Sequence, residues 1–372
     1  MLLPILLGRV KSEFKTNYCM IVSVKLLASF LVGESVGKKK KLTKGQLRRV
    51  KANQAKRLDK ESAELEINSD ALGPRESGRV MSRYGQHADV IDNEGNVLRC
   101  NLRRNIESLV TGDNVVWRRF TESEQGMQGV IEAVEERHSE LLRPDIYDGL
   151  KPVAANVDRI FIVSSPQPAF SDQIIDRYLV ACDEAGIQAV IVFNKSDLIT
   201  DEDREHIDNR LAVYRNIGYP VYVVSAKEKT GMEKLRQAFS DHISVFVGQS
   251  GVGKSSLMNA LLPEVDLQVG AISENSGLGQ HTTTVARWHD LEGGGALIDS
   301  PGIREFGLWH LPIDQIAQGF VDFHPYLGTC KFRDCKHGTD PGCSLREAVA
   351  NGELDEGRLA NYHRIVESIS NM

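Results

Sequence analysis

The amino-acid sequence predicts a multidomain protein in which a small β-barrel precedes an α/β domain and a C-terminal α-helical metal-binding domain. Short β-type runs alternate with turn residues between residues 79 and 136, and apolar runs rich in Val and Ile alternate with helical patterns after residue 150. Cysteines cluster near the C terminus. With 372 residues, of which 41% are hydrophobic, the chain can form two or three separate cores.

The N-terminal part contains a basic arm at residues 38–60. Eleven Lys and Arg side chains lie there against one carboxylate, Asp59, although the net charge of the whole chain is −6. Concentrated positive charge favours contact with a polyanion such as RNA, and the alternative is a solvated tail. Residues 61–78 are rich in acidic, Gly, Pro and Ser residues, so we expect the basic arm and a linker to occupy residues 36–78.

The sequence favours a cytoplasmic protein without membrane contact. The most apolar segment, residues 21–32, is interrupted by Lys25 and falls short of the roughly 20 residues that span a bilayer. Cys19, Cys100 and Cys182 are isolated, which suits a reducing compartment. No coiled-coil pattern or long exposed apolar stripe is present, so a monomer is expected.

Residues 79–140 are predicted to form the barrel. Runs such as "ADVID" and "VLRCNL", separated by turn signals, are typical of an OB-type or an SH3-type closed sheet. Such a barrel can serve as packing or as a nucleic-acid platform, and Arg99, Arg103 and Arg104 near a predicted turn favour RNA.

The α/β domain is predicted from continuous apolar strands at 159–165, 188–195 and 220–227, with helical patterns between them. Strands of this kind fit a parallel sheet that is covered on both faces.

A phosphate-binding loop follows the strand 243–247. The stretch from Gly248 to Ser255 spells G-x-x-x-x-G-K-S before a helical pattern, and its glycines let backbone N–H groups surround phosphates at a helix N-terminus. Lys254 would reach the β- and γ-phosphates, and the Ser255 hydroxyl would bind Mg²⁺. The candidate phosphate-binding residues are Gly248, Gln249, Ser250, Gly251, Val252, Gly253, Lys254, Ser255 and Ser256.

Two further motifs indicate guanine. "NKSD" supplies Asn194, Lys195, Ser196 and Asp197 at a strand end, and the Asp197 carboxylate can accept hydrogen bonds from both guanine N1–H and its exocyclic amine. After the next strand come Ser225, Ala226 and Lys227, where the Ala226 backbone N–H can donate to guanine O6.

The remaining nucleotide motifs follow the phosphate-binding loop in the chain. "DSPG" provides Asp299 for the Mg²⁺ shell and the Gly302 backbone N–H for the γ-phosphate. One of Thr282, Thr283 and Thr284 would close over Mg²⁺, with Thr283 taken as the candidate. Together the motifs predict a GTPase whose motif order is circularly permuted, which is feasible because domain termini commonly lie close together.

The position after "DSPG", where many GTPases place a water-orienting glutamine, holds Ile303. An alkyl group cannot orient water, so slow intrinsic hydrolysis and activation by a partner are expected. His281 is the candidate catalytic residue alongside Lys254, and the alternative for His281 is a structural role in the loop.

A metal site is predicted in "CKFRDCKHGTDPGC". Three thiols and one imidazole can bind a single structural Zn²⁺ that holds this polar segment folded, and the alternative is a group of reduced cysteines. The candidate ligands are Cys330, Cys335, His337 and Cys343.

These motifs, together with "KLTKGQLRRVKANQ" and "NSGLGQHTTT", resemble the circularly permuted GTPases of small ribosomal subunit biogenesis, the RsgA (YjeQ) family, from about residue 38 to the end. The resemblance implies an OB-fold domain at 79–140, a permuted GTPase domain at 141–306 and a zinc-binding domain at 307–372. It also assigns the GTP contacts to 194–197 and 248–256 and the zinc ligands to the Cys–His cluster, and it implies that the apolar residue in place of glutamine is a family trait.

The implied function is binding to the small ribosomal subunit and its rRNA near the decoding region, late in maturation. There the subunit stimulates GTP hydrolysis, and hydrolysis to GDP releases the factor. The alternatives are an RNA-binding scaffold that binds GTP with little turnover and, less favoured because of Asp197, an ATP-dependent enzyme such as a kinase.

Residues 1–35 depart from the family, whose members begin near the basic arm. We hypothesise that they are a non-native extension and that Val36 is the true initiator. A mass spectrum of the natural protein that begins at Met1 would contradict this hypothesis.

Overall fold

The computed structural model describes residues 72–106, 108–124, 126–145, 149–262, 286–299 and 311–370. The chain divides into two compact units, Met1–Leu65 and Glu66–Met372, and every described residue belongs to the second. The N-terminal extension, the basic arm and most of the linker therefore lie outside the described residues. The same holds for six residues of the nucleotide-site predictions: His281, Thr282, Thr283, Thr284, Gly302 and Ile303.

The first part of the described chain is a closed five-stranded barrel of order β1-β2-β3-β5-β4, which confirms the OB-type prediction. All strand pairs are antiparallel except the β3–β5 pair. Buried side chains fill the barrel, including Val90, Trp117 and Ile131. The strands are β1 Leu72–Tyr84, β2 His87–Asp92, β3 Val97–Leu102, β4 Asn114–Glu124 and β5 Met127–Val134.

The first strand begins earlier than the sequence pattern indicates. Strand β1 starts at Leu72, within the segment that the sequence pattern assigns to a linker. The pattern indicates a linker there because the Gly, Pro and Ser residues lack the alternation of a strand. Pairing with β4 holds this end in the sheet, and the Arg75 Nε donates to Glu132 Oε2 at 3.0 Å. A hairpin of two further strands, β6 Glu140–Asp145 and β7 Gly149–Ala155, then leads out of the barrel.

The α/β part is a six-stranded sheet of order β10-β9-β8-β11-β13-β12, in which only the edge strand β12 is antiparallel. Successive residues of the inner strands are buried on opposite faces, as the continuous apolar runs predicted. The strands are β8 Arg159–Ser164, β9 Gln188–Phe193, β10 Val221–Val223, β11 Ile243–Val247, β12 Arg287–Asp290 and β13 Ala296–Asp299. The helices are α1 Asp172–Ala185, α2 Asp201–Ile217, α3 Met232–Gln237 and α4 Lys254–Leu261.

The C-terminal part, residues 311–370, is helical. It consists of α5 Ile313–Gln318, a 3₁₀ turn at Val321–Phe323, α6 Ser344–Ala350 and α7 Glu356–Ser370. Its core combines aromatic side chains with a larger number of aliphatic ones, and the buried Val180 and Ala181 of α1 belong to it, so α1 is shared between the sheet and the C-terminal helices. Among the described helices none combines the length and the apolar character that a bilayer span requires.

Candidate nucleotide site and metal site

The described residues of the permuted motifs meet at one edge of the sheet. Strands β9, β10, β11 and β13 are parallel, and each is followed at its carboxyl end by one of the predicted motifs. Ligands of open α/β sheets bind at this edge, where the loops between strands and helices converge. The described motif residues therefore share this edge although they are far apart along the chain.

The phosphate-binding loop depends on glycine at its two ends. Gly248 has φ 134°, and a Cβ there would lie 2.2 Å from the Val163 carbonyl oxygen. Gly253 has φ 96°, and a Cβ there would lie 2.3 Å from Asn194 Nδ2. Any side chain at either position would force the loop away from its neighbours, because both close contacts are with groups fixed by the fold.

The remaining loop residues divide into exposed and buried sets. Gln249, Ser250 and Gly251 are exposed, whereas Val252 is buried in the core beneath the loop. The Lys254 ammonium donates to the carbonyl oxygens of Gly248 and Gln249, both at 2.6 Å. The cation of the predicted catalytic lysine is therefore held against the loop backbone.

Asn194 joins three motifs. It is 1% exposed, its Nδ2 donates to the Val252 carbonyl oxygen at 3.0 Å, and its Oδ1 accepts from the Ala226 backbone N–H at 3.1 Å. The Ala226 N–H that was predicted to face guanine O6 therefore braces Asn194 in this structure. A buried amide with both ends bonded fixes the guanine motifs relative to the phosphate-binding loop.

Lys195 reinforces the same connection. It lies in the left-handed region with φ 58°, and its Nζ donates to the Gly251 and Gln167 carbonyl oxygens at 2.6 and 2.8 Å. Gln167 was not singled out from the sequence, because its contribution is a backbone oxygen that no side-chain pattern reveals.

Asp197, the candidate guanine reader, is exposed, and Ser225 orients its carboxylate. The Ser225 hydroxyl donates to Asp197 Oδ1 at 2.6 Å and accepts from the Glu228 backbone N–H at 3.0 Å. Lys227 is exposed and lies 3.7 Å from Glu228. Ser225 was predicted only as part of a nucleotide-binding tripeptide, and the structure gives it a specific orienting contact.

Two described residues offer oxygen ligands that suit Mg²⁺. Ser255 lies in the first turn of α4, with Ser256 beside it, and Asp299 ends β13. Strands β11 and β13 are neighbours with Val245 opposite Ile298, so the start of α4 and the end of β13 lie at the same edge of the sheet. A hydroxyl and a carboxylate are ligands that Mg²⁺ accepts alongside nucleotide phosphates, so these residues fit the ion.

The cysteine and histidine side chains of the knuckle, residues 330–343, converge as predicted. The potential ligand atoms of Cys330, Cys335, His337 and Cys343 all lie within 4.8 Å of one another. His337 Nδ1 is 3.5, 3.7 and 3.6 Å from the three sulfurs. A tetrahedral zinc ion bonded at about 2.3 Å to sulfur and about 2.0 Å to nitrogen sets such separations at about 3.5 Å, so the residues fit zinc.

Two backbone N–H groups and a neighbouring histidine support this cluster. The His337 N–H donates to Cys335 Sγ at 3.3 Å and the Ser344 N–H to Cys330 Sγ at 3.4 Å. His363 Nε2 lies 2.6 Å from the His337 carbonyl oxygen. Burial lowers the pKa of His337, which keeps its imidazole neutral as metal binding requires.

The comparisons with known proteins agree with this geometry. A family model described as RsgA GTPase matches residues 134–309. The chain is 54% identical over 339 residues to a protein named small ribosomal subunit biogenesis GTPase RsgA from Shewanella oneidensis, covering 90% of this chain and 96% of that one. It is 58% identical over 337 residues to the Vibrio parahaemolyticus protein named small ribosomal subunit biogenesis GTPase RsgA 1, covering 90% and 95%.

Two solved structures are similar as well. The crystal structure of YjeQ from Thermotoga maritima matches with a TM-score of 0.66 at 31% identity, covering 80% of this chain and 100% of that one. YloQ, described as a circularly permuted GTPase, matches with a TM-score of 0.64 at 31% identity, covering 80% and 96%.

Proposed function

The chain belongs to the RsgA family of GTPases, and from that premise we propose that it acts in late maturation of the small ribosomal subunit. In this proposal it binds the subunit and its rRNA, the subunit stimulates GTP hydrolysis, and hydrolysis drives release of the factor. The names of the relatives support the small subunit as the partner. The main structural support for GTP binding is the buried Asn194, which joins the guanine motifs to the phosphate-binding loop.

The described residues have separate roles toward GTP. The loop from Gly248 to Ser256 surrounds the phosphates. When GTP binds, the Lys254 side chain moves so that its ammonium donates to the β- and γ-phosphate oxygens instead of to the loop carbonyls. Asp197, oriented by Ser225, accepts from the guanine N1–H and exocyclic amine. Ser255 and Asp299 would hold Mg²⁺, which would supply neutralisation of the phosphate charge.

The Cys–His cluster would hold one structural Zn²⁺. Three thiolates and one imidazole would supply the four ligands of a structural zinc site, which leaves no coordination position for substrate. In this role the four side chains would keep the knuckle folded, and Lys331, Arg333 and Lys336 are exposed on its surface.

The barrel contributes an rRNA-binding surface through only part of its predicted arginines. Arg103 donates to the buried Glu132 at 2.8 Å and therefore stabilises the barrel. Arg99 makes two hydrogen bonds with Asp89 and lies over the exposed Tyr84 ring, 5.3 Å from its centroid. The exposed Arg104 and this Arg99–Tyr84 pair are the better candidates for rRNA contact. In this proposal the protein is a monomer and acts in the cytoplasm.

The proposed function is tested by GTP hydrolysis with and without purified small ribosomal subunits. We expect slow turnover by the protein alone and a large increase when subunits are added. In addition, Asp197→Asn should shift preference from GTP toward xanthosine triphosphate, because an amide can donate to the xanthine oxygen that replaces the guanine amine. Loss of stimulation in His281→Ala would assign the water-positioning role to that residue.

A turnover rate that does not change with added subunits would overturn the stimulated enzyme. If the subunits nevertheless bind, the result would favour the scaffold that binds GTP with little turnover. This alternative has support from one residue, Ile303, which cannot orient water.

A further inference from the structure

The barrel contacts the sheet through a docking loop, residues 109–113, that lies between β3 and β4. Thr111 is buried, its hydroxyl donates to the Ala286 carbonyl oxygen at 3.1 Å, and its own carbonyl oxygen accepts from the Ala155 N–H at 3.0 Å. Ala286 immediately precedes β12, the edge strand of the sheet. A side chain of the barrel therefore holds the residue from which β12 begins.

The docking loop lies close to β13 as well. Gly112 has φ 93°, and a Cβ there would lie 2.1 Å from the Ala155 carbonyl oxygen and 3.4 Å from Ile298 Cδ1. The Asn156 Nδ2 donates to the Gly112 carbonyl oxygen at 2.9 Å. Ile298 directly precedes Asp299, so the docking loop packs one residue away from the proposed Mg²⁺ ligand.

Hydrogen bonds and an ion pair hold the docking loop to its surroundings. The buried Asp113 carboxylate accepts from the Val110 N–H at 2.8 Å and pairs with Arg137 at 2.6 Å. The Gly112 N–H donates to the Val80 carbonyl oxygen and the Val80 N–H to the Asp113 carbonyl oxygen, both at 2.9 Å. A displacement of β1 must therefore move the loop with it.

A second contact joins the barrel to the same hairpin. The Arg79 guanidinium lies 5.1 Å from the centroid of the Trp288 ring, and its Nε donates to Asn114 Oδ1 at 3.1 Å. Trp288 is the second residue of β12 and lies opposite Ile298, while Arg287 lies opposite Asp299. Thus Thr111 and Arg79 hold both residues that flank Arg287, the strand partner of Asp299.

We propose that Thr111 and Arg79 are positioning residues for GTP hydrolysis, because they fix the β12–β13 hairpin and thereby the carboxylate of Asp299. The inference rests on the proposed function. Binding of the subunit to the barrel biases the hairpin toward the position in which Asp299 serves Mg²⁺. Because such coupling between two binding sites is reciprocal, the bound nucleotide sets the affinity of the barrel for the subunit.

The test uses full-length Thr111→Val and Thr111→Ser. Valine keeps the shape of threonine and removes the donor to Ala286, whereas serine keeps the donor. The dissociation constant for purified small subunits is measured with a non-hydrolysable GTP analogue and with GDP. We expect the parent and Thr111→Ser to bind at least tenfold more tightly with the analogue, and Thr111→Val to bind within about twofold with either nucleotide, since tenfold corresponds to about 1.4 kcal/mol of coupling.

Steady-state kinetics separate positioning from a general loss of structure. Thr111→Val should lower the subunit-stimulated kcat while leaving the KM for GTP close to that of the parent, because the phosphate loop and the guanine motifs are untouched. If Thr111→Val does not fold, Arg79→Met removes the second contact and is measured in the same way, with Arg79→Lys as the variant that retains a cation over Trp288.

Two results are distinguishable. A full difference between analogue and GDP in both Thr111→Val and Arg79→Met would overturn the inference and leave the proposed function intact. A parent protein that binds no subunits with either nucleotide would overturn the proposed function itself, and the inference with it.

Discussion

The sheet is joined to its two neighbours by different kinds of contact. The barrel joint, formed by the docking loop and the Arg79–Trp288 contact, includes a backbone hydrogen bond from Ala155 to Thr111, the buried Thr111 hydroxyl and one cation–π contact, and Met81 of β1 packs against the sheet core. The C-terminal joint, formed where α1 and α2 meet residues 311–370, is centred on a buried ion cluster and a shared apolar core. The barrel is thus attached by directional contacts and the packing of one partly buried side chain, whereas the C-terminal part shares a core cluster with α1.

The C-terminal joint is centred on Arg358 of α7. This side chain is fully buried, pairs with Asp176 of α1 and with Asp322, and lies 4.4 Å from the Phe320 ring centroid. Asp176 also accepts from the Tyr214 hydroxyl and the Asn361 amide, both at 2.7 Å. Burial raises the pKa of Asp176 despite these partners, which shows how completely the carboxylate is removed from water.

The difference suggests a division of labour. A joint that shares a core must move as one body, whereas a joint held mainly by directional contacts can transmit a displacement of the barrel to the edge strand of the sheet. We therefore expect coupling to the nucleotide edge to pass through the barrel joint. The C-terminal joint provides a fixed base.

Zinc removal should give the largest effect, confined to the C-terminal side. A structural zinc ion contributes on the order of 10 kcal/mol to the folding of small domains that depend on it, and Cys343 belongs to the C-terminal core. Cys343→Ser should lose the bound zinc measured by atomic absorption. It should also lose hydrogen-exchange protection in residues 330–350, while β1–β5 retain theirs.

Cys100→Ala is the control, because Cys100 is a buried thiol of the barrel that is absent from the metal cluster. It should retain one zinc ion per chain. Equal loss of protection in the barrel and the C-terminal part of Cys343→Ser would contradict the contrast between the two joints.

Arg358→Met should give the next largest effect. Methionine fills much of the same space but leaves the carboxylates of Asp176 and Asp322 without their cation. Removing one partner of a buried ion pair typically costs 3–5 kcal/mol, so we expect a loss of about that size in urea denaturation.

The matched control for this variant is Arg346→Met on the exposed face of α6, which should change stability by less than about 0.5 kcal/mol. If Arg358→Met proved as mild as this control, the ion cluster would not hold the C-terminal joint together.

The sequence was sufficient for the motifs and insufficient for the contacts between them. The phosphate loop, the guanine motifs and the Cys–His cluster each have a local pattern that reflects their chemistry. By contrast, Asn194 meets Val252 across 58 residues and Arg358 meets Asp176 across 182, and no local periodicity encodes such pairs. The start of β1 was missed for the related reason that its pairing with β4 overrides its turn-like composition.

Gly112→Ala should give the smallest of these effects and test the barrel joint most directly. The added Cβ would lie 2.1 Å from the Ala155 carbonyl oxygen, a backbone atom that cannot rotate away, so the joint must open.

Gly85→Ala is the matched control, because Gly85 also has positive φ, at 61°, but has no atom within 4 Å of an added Cβ. Both variants incur the roughly 1–2 kcal/mol cost of a left-handed alanine, so the difference between them in urea denaturation isolates the contact. We expect Gly112→Ala to be less stable than Gly85→Ala by about 2 kcal/mol and to lose exchange protection at the Ala155 N–H, which donates to Thr111. Equal stability of the two variants, with Ala155 still protected, would mean that the barrel joint yields without cost and cannot position the β12–β13 hairpin.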